Sequence, residues 1–162
     1  MTPRRLLLAA LLLAPLLVPP ASQAQDISKA QPILPKQDMT VVTHDGQRHV
    51  FHMEMASTPE QQEIGLMWRT EVPADGGMLF DWNHPQQSAM WMKNTLVPLD
   101  MLFIDDKGVI RRIAERTTPH SLAVIDGGDG VRATAELAGG TAERLDIRVG
   151  DRVEQRIFGN PS

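Results

Sequence analysis

The chain has 162 residues, 42% of them hydrophobic, with no cysteine and a formal charge of −4. The absence of cysteine excludes disulfides, thiolate metal sites, thiol chemistry and a lipidated cysteine at a cleavage site, so stability has to come from the core that a single domain of this size can build. The 16 Lys and Arg residues are scattered among 20 Asp and Glu, which argues against the clustered basic surface that a nucleic-acid partner requires.

Residues 1–24 read as a secretory signal. Arg4 and Arg5 form a basic start, Leu6 to Val18 an apolar stretch, and Pro19 to Ala24 a small-residue cleavage region. The apolar stretch is shorter than the roughly 20 residues that a membrane-spanning helix needs, and Pro15, Pro19 and Pro20 would disturb a longer one. Cleavage after Ala24 is expected, giving a periplasmic or secreted protein with no membrane span in its mature form. Loss of Arg4 and Arg5 leaves 14 basic against 20 acidic residues, a formal charge of −6.

Residues 25–37 carry Pro32 and Pro35 without periodicity and read as a linker, either laid on the surface or flexible. A single mainly-β domain is expected over 38–159. From Met39 the pattern alternates: Thr40 to Thr43, an Asp45-Gly46 turn, then Arg48 to Met55, which predicts a hairpin. Thr58-Pro59-Glu60-Gln61 predicts a helix start with Thr58 as N-cap, Pro59 in the first turn and Gln61 completing a capping box, and Gly65 limits the helix to about two turns. Strands are predicted at Gly77 to Asp81, Ser88 to Asn94 and Leu99 to Ile104, the first two separated by Asn83-His84-Pro85, and another at Val109 to Glu115 after the Asp105-to-Gly108 turn. Arg116 to Gly130 reads as a long loop. Val131 to Leu137 alternates, Thr141 to Leu145 suits one helical turn, and Arg152 to Phe158 reads as a last strand. Many short strands with two brief helices predict a mainly β (α+β) fold: a curled antiparallel sheet or partial barrel.

The segment Met90 to Ile104 holds the polar residues that need explaining. If Ser88 to Asn94 is a regular strand, Lys93 shares a face with Trp91. Every residue from Leu99 to Ile104 except Asp100 is apolar, which predicts burial on both faces. A carboxylate there needs a partner, and Lys93 or Arg69 is the expected one; backbone N–H groups at the Val97-Pro98 turn would serve as well. Arg69, Trp91, Lys93, Asn94, Thr95 and Asp100 are therefore the candidate ligand-binding residues: two cations, directional donors and a stacking wall suited to an anionic or polyhydroxylated ligand.

Other chemistries are less well supported. No Gly-x-Ser-x-Gly, His-Glu-x-x-His or phosphate-cradling loop is present, so no catalytic residue is assigned. His120-Ser121 with Asp126 contains the residue types of a hydrolase triad without a defining spacing. Nine Met and five His include Met53-x-Met55, Met90-x-Met92 and His49-x-x-His52, ligand types that suit copper, although His49 and His52 fall on opposite faces of a regular strand. Packing explains most of these Met residues. No metal or cofactor is expected.

Several ordered blocks together resemble the domain of unknown function 192 family. They are Thr58-Pro59-Glu60, Gly65-Leu66-Met67-Trp68-Arg69, Gly77-Met78-Leu79-Phe80, Trp91-Met92-Lys93-Asn94-Thr95 with Pro98-Leu99-Asp100, Glu136-Leu137-Ala138-Gly139-Gly140, and Gly150-Asp151-x-Val153. The resemblance spans roughly Met39 to Phe158. It implies a small, mostly β domain, often exported, with no assigned activity or cofactor. Many relatives carry cysteines in the loop after the Val109 strand, where this chain reads Arg116-Thr117-Thr118-Pro119-His120-Ser121, so a cysteine-dependent role would not transfer. The expected function is a non-enzymatic binding or accessory module for a polar or anionic ligand or an envelope protein partner, with soft-metal binding and hydrolysis as alternatives.

Overall fold

The computed structural model describes residues 26–160; the predicted signal lies outside the described residues. Seven strands form one sheet: β1 (Lys36–Val42), β2 (Arg48–Ala56), β3 (Gly76–Met90), β4 (Leu99–Ile104), β5 (Ile110–Ala114), β6 (Ile125–Ala138) and β7 (Arg152–Glu154). Their spatial order is β5-β4-β6-β3-β2-β1-β7. The sheet curls until its two edges meet. Val109 bridges Arg152, and Ile110 N–H donates to the Asp151 carbonyl at 3.0 Å. This is the expected mainly β, curled architecture, with two short helices, α1 (Pro59–Ile64) and α2 (Thr141–Arg144).

All strand pairs are antiparallel except β2 with β3. Parallel neighbours need a crossover, and residues 57–75 supply it, with α1 near its start. Thr58 Oγ1 accepts from Gln61 N–H at 3.3 Å, while Gln61 Oε1 accepts from Thr58 N–H at 3.1 Å. This is the predicted capping box, and Gly65, with φ of 51°, ends the helix where expected.

The curl creates two apolar layers. Met39, Val41, Phe51, Met53, Leu79, Leu102, Ile104, Ala135, Leu137 and Val153 fill its inside. Met78, Phe80, Met92, Leu99, Met101 and Phe103 form a second layer on the outside of the central strands. All six residues of β4 are buried, as the uninterrupted apolar run predicts. The outer layer is covered by the crossover, by the connection 91–98, and by the Pro-rich lead-in. That lead-in is firmly held: Gln31 Nε2 donates to the carbonyls of Gln61 (3.0 Å) and Gly65 (2.9 Å), and Trp68 Nε1 donates to the Ile27 carbonyl at 2.8 Å.

Four local expectations are corrected. Asn83-His84-Pro85 does not separate two strands, because β3 resumes the same ladder with β6 beyond a bulge between Asp81 and Gln86. Asn83 takes a φ of 64°, its N–H donates to Asp81 Oδ1 at 2.8 Å, and Arg132 pairs with the same carboxylate; the bulge is thus pinned by side chains and absorbs the proline, which has no N–H to give. The strand after it stops at Met90, not Asn94. The predicted loop 116–130 reaches only Val124, because Gly127 to Gly130 lie within β6. Gly127 there serves close approach, since a Cβ would stand 2.3 Å from a Phe103 ring carbon. Finally, β7 ends at Glu154, where Gln155 caps a single 3-10 turn by accepting from Ile157 N–H at 2.8 Å.

Candidate functional site

The six predicted residues do not form one site. Asp100 is fully buried, but its partners are all backbone: Oδ1 accepts from Arg116 N–H (2.8 Å) and Gly140 N–H (2.9 Å), and Oδ2 from Ala142 N–H (2.8 Å). The expected pairing with Lys93 or Arg69 is therefore wrong. So is the location at the Val97-Pro98 turn, although backbone N–H acceptance is the chemistry observed. The cause is geometric. Asp100 pairs in register with Leu137 and shares its face with Leu102 and Ile104, which point inside the curl, whereas the connection carrying Lys93 covers the outside.

Because β3 ends at Met90, residues 91–95 form a turn in place of a strand. Met92 N–H donates to the Ser121 carbonyl, Thr95 N–H to the Met92 carbonyl, and Asn94 adopts a φ of 56°. Lys93 Nζ rests 4.9 Å from the centroid of the Trp91 ring, and Trp91 is 46% exposed. Lys93 and Trp91 are thus neighbours as predicted, but on the surface. Asn94 Nδ2 donates to Met67 Sδ at 3.7 Å and Thr95 is buried.

Arg69 sits elsewhere. It donates through Nη2 to Glu54 Oε2 at 3.1 Å, and the same oxygen accepts from Leu34 N–H at 2.8 Å. Both side chains line a cavity of about 250 Å³ that also includes Lys36 and Leu66. Replacing Arg69 with methionine would leave the Glu54 charge, 9% exposed, without its cation. The expected cost is about 3 kcal/mol, read as a lower urea midpoint with an unchanged m-value.

A residue outside the six carries the more informative environment. Glu136 on β6 lies in register between Met78 on β3 and Met101 on β4. It therefore faces the outer layer. It is 4% exposed, no hydrogen bond among the described residues reaches its carboxyl, and burial alone pushes its pKa up to about 8. Glu136 helps line a cavity of about 260 Å³ whose walls include Met67, Phe80, Trp82, Met90, Trp91 and Thr95, with Leu66 shared with the Arg69 cavity. Of the six predicted residues, then, Trp91 and Thr95 reach this cavity. Glu136 escaped sequence reasoning because Val131 to Leu137 alternates, and an alternating strand reads as having a wet face. The signal that could have exposed it was β4: a neighbour buried on both faces implies that the polar face of β6 is covered too.

The alternative chemistries find no assembled geometry. Ser121 Oγ accepts from Ala123 N–H and Asp126 Oδ1 from Gly128 N–H, and no hydrogen bond joins either side chain to His120. Met53 is sealed in the inner layer, and Met92 accepts from Thr117 Oγ1 at 3.1 Å in the outer one. His52 bonds Asp38 at 2.7 Å while His49 Nε2 is buried without a partner. Among the described residues no group of three His, Asp or Glu side chains could hold a metal ion.

A family model described as DUF192, "Uncharacterized ACR", matches residues 40–155. The chain belongs to the domain of unknown function 192 family. Two crystal structures agree with this. One, from Sinorhizobium meliloti 1021 and described as that of a "putative transcription regulator", is 42% identical with a TM-score of 0.76, over 79% of this chain and 99% of that one. Another, a protein of unknown function from Novosphingobium aromaticivorans DSM 12444, is 37% identical with a TM-score of 0.73, over 78% and 91% of the two chains. No curated protein matches. In this member of the family, the sequence blocks meet in two places. Met67, Trp91, Thr95 and Glu136 gather at the outer cavity, and Asp100 with Gly140 forms the inner bracket.

Proposed function

We propose that this domain is a non-enzymatic binding module that holds a small ligand in the cavity over Glu136, with its polar head on the carboxyl and its body against Trp91 and Met67. The observation that carries this reading is a buried glutamate that lines a cavity and whose carboxyl has no hydrogen-bond partner among the described residues. Such a group costs stability that a methionine or leucine would not, and a bound ligand would recover it. The reading departs from the anionic ligand expected from Lys93 and Arg69, since neither lines this cavity. The basic, apolar and small-residue pattern of residues 1–24 supports export, and the acidic balance of the chain supports a partner other than nucleic acid.

A thermal-shift screen of small molecules tests the binding role, with Ala89→Trp as the control. Ala89 is exposed at the cavity lining, so an indole there should block the cavity without disturbing the core. Compounds are expected to raise the wild-type Tm by several degrees and to lose that effect in the variant. Equal shifts in both proteins, or no shifts in either, would remove the cavity as a ligand site.

A further inference from the structure

We propose that the ligand of the Glu136 cavity is an organic cation, a primary or quaternary ammonium carried on a compact apolar body. The inference rests on the binding role proposed above and names the chemistry of that site. The titratable groups in the lining are both acidic, Glu136 on β6 and Glu63 on α1. Among the described residues no Lys, Arg or His lines it. The walls are of the kind that solvate cations: Phe80 and Trp82 stack with centroids 5.6 Å apart, and Trp91 also lines the cavity. A ring face attracts an ammonium through its quadrupole, most strongly for Trp. Trp91 already does this within the chain, holding Lys93 Nζ at 4.9 Å.

What the cavity lacks is a countercharge. Among the described residues Glu136 has no cation and no hydrogen-bond donor, its register neighbours Met78 and Met101 are apolar, and Thr95 brings the one hydroxyl in the lining. A neutral ligand would leave the carboxyl protonated, and an anion would meet two carboxyls. An ammonium supplies the missing charge. Because burial keeps Glu136 protonated up to about pH 8, binding a cation near neutrality should drive its proton into solvent. Of the titratable groups facing the cavity, Glu63 is exposed, and Lys93 lies outside the lining over Trp91.

The test uses three probes of one shape, phenylethylammonium, 2-phenylethanol and phenylacetate, titrated calorimetrically into the protein at pH 6.5 in two buffers of different ionisation enthalpy. Phenylethylammonium is expected to bind at least tenfold more tightly than the alcohol, phenylacetate to show no binding, and the apparent enthalpy to depend on buffer through proton release. Glu136→Gln should abolish both the tenfold preference and the buffer dependence. Equal or tighter binding of the alcohol would overturn the cation inference while leaving the binding role intact. If no probe binds, the inference fails, and the Ala89→Trp screen separately decides the binding role.

Discussion

Asp100→Ala should be among the most damaging single substitutions in this protein, lowering stability by about 4 kcal/mol as read from urea denaturation at neutral pH. The side chain is 0% exposed and accepts three backbone N–H groups from two separate segments. Hydrogen bonds to a charged acceptor are each worth about 1.5–3 kcal/mol, and removing the carboxylate leaves three buried donors without partners. Part of that loss is returned because a charge no longer has to be buried. The damage is also topological. Arg116 follows β5, while Gly140 and Ala142 open α2, so the carboxylate fastens both connections to the inner end of β4. Asp100→Asn separates the contributions: a carbonyl oxygen can still accept from Arg116 and Gly140, but the amide nitrogen then faces the Ala142 N–H, so an intermediate loss is expected. A loss below about 1 kcal/mol for alanine would show that these three bonds contribute little net stability.

The same residue shows what could be read along the chain. That Asp100 had to be buried and satisfied followed from its neighbours alone, since five apolar residues surround it in a six-residue strand. Its partners could not be read, because they come from 16, 40 and 42 residues away. Local rules located α1 with its cap, because a capping box and a glycine stop are contained in a few residues. They failed at Asn83-His84-Pro85, where turn residues sit in a bulge that the β6 ladder and Arg132 hold in place. They failed again at Lys93. Period-two reasoning assumes that the strand continues, and here hydrogen bonds from Met92 to Ser121 and from Thr95 back to Met92 end it. Glu136 was hidden for a related reason: whether an alternating strand has a wet or a covered face depends on the second layer, which segments distant in sequence provide.

Glu136→Gln is expected to stabilise the protein increasingly as pH rises. The carboxyl has an ordinary value of 4.5 and is held at about 8 in the folded state by burial. Below pH 4.5 it is protonated in both states and contributes no pH dependence. Between 4.5 and 8 the unfolded chain ionises while the folded protein keeps its proton. The native state then binds more protons than the unfolded state, and stability falls with pH. Above 8 both are ionised and the penalty is constant. At about 1.4 kcal/mol per displaced pKa unit, the penalty reaches on the order of 4 kcal/mol by pH 8. Glutamine keeps the shape and a buried amide, whose desolvation cost does not vary with pH. The gap between variant and wild type should therefore widen by roughly that amount between pH 4.5 and 8, measured by urea denaturation at half-unit steps. Parallel profiles would mean that Glu136 is solvated or paired in solution, and the cavity would lose the group on which ligand recognition depends. A widening gap would instead show a carboxyl maintained at a cost to the fold, which is the energetic condition for a bound cation to raise stability by supplying the charge the site lacks.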